Sequence, residues 1–287
     1  MRTVSAITEL RSAVAEARRA GRPVGFVPTM GYLHAGHMAL CDQARTHAPN
    51  CLLIVSIYVN PTQFGPTEDL SKYPRDLAGD SAQCQRHGVD IVFTPTTETI
   101  YPGGLDQQQI RLSAGSLAAP LCGADRPVHF GGVLTVVSKL FNLVQPDFAV
   151  FGEKDFQQLR LIERMVEELH FPVQILRGPT VREADALAMS SRNSYLSAEE
   201  RRRAPAIAAA LREIARSVSA APGAVAAALH AARTELAASF GAEAVQYLEI
   251  RRESDLTLIE SFDPRHPARV FAAVRVGPAR LIDNWPI

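Results

Sequence analysis

Cysteine is scarce and scattered in this 287-residue sequence. Cys41, Cys51, Cys84 and Cys122 are the four present, and no two form a Cys-x-x-Cys pair. That excludes zinc-ribbon and thioredoxin patterns and fits a reducing compartment. An excess of one charge is also missing, since thirty basic residues balance thirty acidic ones. Polyanion-binding proteins carry a basic surplus, so nucleic acid is not an expected partner. A small basic cluster for a nucleotide triphosphate remains compatible with this balance. Long apolar runs are absent, and the longest, residues 51–59, is too short to cross a bilayer. Arg2, Glu9, Arg11 and Glu16 interrupt the N-terminal stretch, which leaves no apolar core for a signal peptide. The expectation is a cytoplasmic protein with no membrane partner. There is no internal repeat, low-complexity tract or long linker either.

What is present reads as a folded chain. Hydrophobic residues make up 47% of it, and a chain of this length buries about 75% of its unfolded surface. Ile7, Leu10, Val14 and Ala17 recur at helical spacing before Gly21. Residues 24–27 form a short apolar run bounded by prolines. Residues 51–59 are β-branched and continuously apolar, as in a strand buried on both faces. Further buried strands are expected at 91–93, 148–151 and 173–176, with helices at 37–45, 80–87, 133–143 and 155–169 between strands. Alternating strands and helices predict a Rossmann-like α/β domain over 1–179, a parallel sheet with helices on both faces. Ligands of such sheets bind beyond the carboxyl ends of the strands. From residue 180 to 287 the texture changes to a smaller α+β lid domain. It holds a capping box at Ser197 and Glu200, an Ala-rich helix at 224–239 and strand-like runs at 246–250 and 270–276.

Three clusters carry chemistry. The first, Pro28-Thr29-Met30-Gly31-Tyr32-Leu33-His34-Ala35-Gly36-His37, follows the first strand and opens a helix. A helix N-terminus suits phosphate, and imidazole is a fitting donor to a phosphoryl oxygen. Gly31 and Gly36 let backbone approach a bulky ligand. Against this stand incidental histidines, or a metal pair whose third ligand would have to be Cys41. The second cluster, Gly152-Glu153-Lys154-Asp155 with Gln157 and Gln158, follows a strand. Lys154 offers a point charge to phosphate, Asp155 a helix cap or a ribose acceptor, and the glutamines both donors and acceptors. A charged helix start is the plainer alternative. The third, Met189-Ser190-Ser191-Arg192-Asn193, puts two hydroxyls and a guanidinium on one loop, enough for a phosphate clamp, or only for a polar loop before the next helix.

Lesser features are Gln63 after the strongest strand, able to hold a small polar substrate, and Asp80, a helix cap or a magnesium ligand. Gly131 and Gly132 after His129 offer close ligand approach or a chain break.

His-Ala-Gly-His, Gly-Glu-Lys-Asp-Phe-Gln-Gln and Met-Ser-Ser-Arg-Asn occur in that order. Val-Asn-Pro-Thr-Gln-Phe and His-Phe-Gly-Gly-Val lie between them, and Arg280-Leu281-Ile282-Asp283-Asn284 closes the chain. Together these resemble the pantoate–β-alanine ligase (pantothenate synthetase) family over nearly the whole sequence. The resemblance implies an ATP-dependent ligase that condenses pantoate with β-alanine through an acyl adenylate. It implies that residues 30–37 (Met30, Gly31, Tyr32, Leu33, His34, Ala35, Gly36, His37) line the ATP site, with His37 as proton donor. It implies ATP contacts at Gly152, Glu153, Lys154, Asp155, Val181, Met189, Ser190, Ser191 and Arg192. Catalysis would rest on His34, His37, Lys154 and Arg192. Gln63 and Gln158 would hold pantoate and Gln63 also β-alanine, with magnesium required and a homodimer as the working unit. Two positions depart from the family pattern, Ala186 and Val128, where glycine is more usual. The histidine turn also fits a nucleotidyltransferase moving AMP or CMP to a phosphorylated acceptor, an adenine-nucleotide sensor, or a class I aminoacyl-tRNA synthetase. The last would need a tRNA-binding domain.

Overall fold

A computed structural model describes residues 1–66 and 68–287. In chain order the first elements are β1 (Arg2–Val4), α1 (Ile7–Arg19), β2 (Val24–Thr29), α2 (Ala35–His47), β3 (Leu52–Ile57), α3 (Leu77–Arg86) and β4 (Ile91–Phe93). Then come α4 (Thr97–Ile100), α5 (Cys122–Asp125), α6 (His129–Val144), β5 (Phe148–Gly152), α7 (Phe156–Glu168) and β6 (Gln174–Gly178). The six strands make one parallel sheet in the order β1-β4-β3-β2-β5-β6.

Side chains alternate across this sheet, and each face has its own helices. Val27, Leu53, Val55 and Val150 pack on one side with Met38 and Cys41 of α2 and Cys84 of α3. On the other side the Phe141 ring of α6 meets Phe26 at 6.4 Å and Phe151 at 6.3 Å. The order of strands reverses between β2 and β5. That is the switch point where such sheets leave a crevice beyond their carboxyl ends.

Strand β1 was not expected. Three residues are too few for a periodic signal, and pairing of Arg2–Val4 with Ile91–Phe93 creates the strand. Gly131 and Gly132 do not break the chain. They lie inside α6, where a Cβ on Gly132 would stand 2.4 Å from the Thr62 carbonyl oxygen. The glycine there lets the helix pack against the chain's own backbone.

The remaining elements are α8 (Ala198–Arg203), α9 (Ala206–Ala220), α10 (Val225–Phe240), β7 (Val245–Arg252), β8 (Ala268–Val276) and β9 (Ala279–Pro286). The capping box at Ser197 and Glu200 is formed. β7, β8 and β9 form an antiparallel sheet with β8 at its centre. Ile207, Leu211 and Ile214 of α9 pack with Val270, Ala272 and Val274 of β8 in one core. β9 was not read as a strand from sequence, because its pattern is broken by Asp283 and Asn284.

By contacts the chain forms two compact units. The first is Met1–Glu153 with Gln157–Pro179, and the second is Lys154–Phe156 with Thr180–Ile287. Phe156 explains the assignment of the short insert. Its ring lies 5.9 Å from that of Phe271, under the Arg269 guanidinium at 4.3 Å.

Candidate active site

In the first unit, the turn between β2 and α2 is held by its own main chain. Gly31 has φ +86° and Tyr32 φ +52°. A Cβ on Gly31 would come within 2.9 Å of the Ile57 side chain and 3.1 Å of Asp80. Glycine is therefore demanded here by backbone shape and by Asp80, before any ligand is considered. The Thr29 hydroxyl donates to the Ser56 carbonyl at 2.7 Å and accepts from the Gly31 N–H at 3.2 Å.

Asp80 is only 2% exposed. One carboxylate oxygen accepts the Tyr32 N–H at 2.9 Å and the other the Leu33 N–H at 2.6 Å. Burial pushes its pKa up, and these two hydrogen bonds pull against that. The helix cap of α3 is Asp76, whose side chain accepts from the Gly79 N–H. Asp80 is thus not the cap, and both of its oxygens hold the turn. Among the described residues no three His, Cys, Asp or Glu side chains gather as a metal ion would need.

His34 and His37 meet at the start of α2. His34 is the N-cap of α2, with extended backbone, and His37 is its third helical residue. The Nδ1 of His34 accepts from the Gly36 N–H at 3.1 Å, and the Nδ1 of His37 from the His34 N–H at 3.3 Å. The two rings sit 4.0 Å apart. With both Nδ1 atoms acting as acceptors, the proton of each neutral ring is assigned to Nε2. Each imidazole is then a donor by construction.

Gln63 is brought to this turn: its Nε2 lies 3.1 Å from the sulfur of Met30. Asn60 orients it, donating from Nδ2 to the Gln63 Oε1 at 3.2 Å. Asn60 is itself fixed by the buried Tyr101 hydroxyl, which donates to its Oδ1 at 2.7 Å. Burial pushes the Tyr101 pKa up to about 12, so this donor stays protonated. Asn60 stands in the Val-Asn-Pro-Thr-Gln-Phe motif without an expected role, and Tyr101 gave no sequence signal, because the contact spans 41 residues. Gln157, expected from sequence to face a substrate, is instead structural. Its amide accepts from the Cys122 N–H and donates to the carbonyls of Leu117 and Pro120. Gln158 is half-buried on the first turn of α7, Gly152 closes β5, Glu153 opens the short turn after it, and a Cβ on Gly152 would meet open space.

In the second unit, Lys154, Ala188, Ser190, Asn193 and Asp283 line a small cleft together with apolar side chains such as Leu281. The Lys154 ammonium lies 3.8 Å from the carboxylate of Asp155, its neighbour in the chain. Ser190 caps the short helix Ser191–Tyr195, and its hydroxyl accepts from the Arg192 N–H at 3.3 Å. Met189 donates its N–H to the Val181 carbonyl at 3.0 Å. Val181 and Met189 thus bracket a tight hairpin that presents Ser190 and Arg192.

That hairpin explains one of the two departures from the family pattern. Ala186 sits at φ +70°, in the left-handed region. Val128, the other departure, has φ −89° and needs no glycine. Left-handed backbone costs a side chain roughly 1–2 kcal/mol, while glycine returns about 0.4–1 kcal/mol of freedom to the unfolded chain. Ala186→Gly is expected to stabilise the protein by about 0.5–1 kcal/mol, read as a raised urea midpoint. A lowered midpoint would mean that the turn carries no strain.

Residues 2–286 match the family described as pantoate-beta-alanine ligase. The chain is 49% identical to pantothenate synthetase 1 of Bradyrhizobium diazoefficiens, covering 99% of this chain and 97% of that one. It is also 49% identical to the pantothenate synthetase of Pseudomonas aeruginosa, covering 100% and 99% of the two chains. A crystal structure of pantothenate synthetase from Thermus thermophilus superposes with a TM-score of 0.90 at 48% identity, over 99% of both chains. A pantoate-beta-alanine ligase from Francisella tularensis, complexed with beta-gamma ATP and beta-alanine, superposes with a TM-score of 0.80 at 31% identity, over 100% and 97% of the two chains. A match from residue 2 to residue 286 leaves no part of the fold outside it, and the chain belongs to the pantoate-beta-alanine ligase family.

Proposed function

We propose that this protein is a cytoplasmic, homodimeric ligase that joins pantoate to β-alanine by way of pantoyl adenylate, converting ATP to AMP and pyrophosphate. Family membership supports the reaction, and the Francisella complex supports two of its substrates, ATP and β-alanine. The observation that carries the reading is the capped histidine turn at the sheet's switch point, where both imidazoles are held as donors.

In the first step a pantoate carboxylate oxygen bonds to the α-phosphorus. The bond from that phosphorus to the bridging oxygen breaks, and pyrophosphate leaves with the electron pair. Negative charge gathers on phosphoryl oxygens, so donors fixed in advance are the main source of acceleration. His34 and His37 supply two from the first unit. Lys154, Ser190, Ser191 and Arg192 are the candidate donors from the second. Met30, Gly31, Tyr32, Leu33, Ala35, Gly36, Gly152, Glu153, Asp155, Val181 and Met189 complete the nucleotide contacts. Magnesium enters as part of the substrate, on the ATP phosphates.

In the second step the β-alanine amine bonds to the activated carbonyl, the carbon–oxygen bond to AMP breaks, and the amine gives up a proton. A free amine with pKa roughly 10 is neutral in only about one molecule per thousand at pH 7. Orientation by Gln63 and Gln158 offsets this, because well-placed partners gain ~7–11 kcal/mol.

Gln63→Ala is expected to raise the KM for pantoate and for β-alanine while ATP binding stays nearly unchanged. Unchanged handling of both acids would remove Gln63 from the substrate site. The reaction itself is tested by incubating the protein with ATP, magnesium and pantoate, then adding β-alanine and following AMP. AMP should accumulate only after the amine arrives. A product that keeps the nucleotide would favour the nucleotidyltransferase reading.

A further inference from the structure

The closing motif Arg280 to Asn284 takes no part in either chemical step. It lies on β9, and Asn284 is 2% exposed. Asn284 uses both ends of its amide. Its Nδ2 donates to the main-chain carbonyl of Lys154 at 2.9 Å, and its Oδ1 accepts from the Arg269 guanidinium at 2.7 Å. Arg269, 7% exposed, also donates to Glu253 at 2.7 Å and lies over the Phe156 ring, two residues from Lys154. The residue before Asn284 serves the other phosphate segment. Asp283 takes both terminal nitrogens of Arg182, at 2.7 and 2.9 Å, and Arg182 donates to the Ala186 carbonyl at 3.0 Å. Adjacent residues of one strand therefore hold the segment that carries Lys154 and the hairpin that carries Ser190.

We infer that Asn284 is a positioning residue for Lys154, fixing the backbone from which the ammonium reaches the triphosphate. The inference rests on the proposed use of Lys154 in adenylate formation. A buried amide with both ends engaged does not tolerate slippage, since freeing either end leaves an unpaired polar group. Arg269 sets which end faces Lys154: a guanidinium only donates, so the Asn284 oxygen must face it and the Nδ2 donor faces Lys154. Asn284 touches the main chain of Lys154 and acts on the reaction only through that residue.

The test is a double-mutant cycle on pantoate-dependent pyrophosphate–ATP exchange, using the full chain. Asn284→Asp keeps the acceptor for Arg269 and replaces the donor to Lys154 with a carboxylate oxygen that repels its carbonyl. It is measured alone, with Lys154→Ala, and beside Lys154→Ala alone, with thermal midpoints recorded for all. Asn284→Ser is read in the same cycle should the aspartate variant fail to fold. In the wild-type background the Asn284 change should lower the exchange kcat by roughly 10- to 100-fold, the scale of an ångström-sized misplacement. With Lys154 already gone it should cost less than about twofold, because coupled residues are not additive. An equal loss in both backgrounds would make Asn284 merely structural and overturn the inference. Lys154→Ala at the wild-type rate would instead sink the proposed role of Lys154, and the inference with it.

Discussion

Replacing Lys154 by alanine should slow pantoate-dependent pyrophosphate–ATP exchange by at least about a hundredfold, the cost of removing one preorganised donor from a developing charge. The ammonium has Asp155 nearby at 3.8 Å, an exposed partner that competes weakly in water. The protein should remain folded, because the second unit holds this segment through the Lys154 carbonyl and the Phe156 ring, and the substitution keeps both. Stability and rate should therefore separate: a nearly unchanged thermal midpoint with a collapsed exchange rate. Arginine should not restore the rate, since a planar fork does not replace a compact ammonium. Exchange at the wild-type rate in Lys154→Ala would remove this residue from the chemistry.

His37→Gln should have a loss of similar size, and here too the structure separates two jobs. His37 accepts the N-cap N–H through Nδ1, as a glutamine or glutamate does at that position in an ordinary capping box. Glutamine can keep that hydrogen bond and so protect the helix start, which is worth roughly 0.5–2 kcal/mol. It lacks the rigid ring that sets Nε2–H opposite Nδ1. The expected result is a retained thermal midpoint with adenylate formation slowed by about a hundredfold. His37→Ala should lose both, rate and cap together. A glutamine variant as fast as wild type would mean that His37 matters only as a cap.

Much of this was legible in the sequence, for reasons that differ by element. Buried parallel strands announce themselves as apolar, β-branched runs, which is why β3 and β5 were placed within a residue or two. β1 and β9 were not, because one is three residues long and the other carries Asp283 and Asn284, buried polar groups that break the pattern. The histidine pair was found, but the capping that joins the two rings to the main chain was not. Histidine is not a usual N-cap, so spacing alone gave no sign of this reciprocal capping. Asp80 was read from its neighbours in sequence as a cap or metal ligand. Its two partners lie 47 and 48 residues away, on a turn that only the sheet brings near. Asn60, Tyr101, Arg182 and Arg269 were silent for the same reason. Each acts on a candidate residue through contacts between segments distant in the chain.

Central to this chemistry is attack by the carboxylate of one substrate on the α-phosphorus of the other, and isotope transfer tests it directly. Pantoate labelled with heavy oxygen in its carboxylate is turned over with ATP, magnesium and β-alanine, and the AMP is weighed by mass spectrometry. Attack at the α-phosphorus followed by cleavage of the acyl–oxygen bond places one heavy oxygen in each AMP, and pantothenate keeps the other. AMP without label, or label appearing in inorganic phosphate, would contradict the adenylate and the roles of His34, His37, Lys154 and Arg192 in forming it.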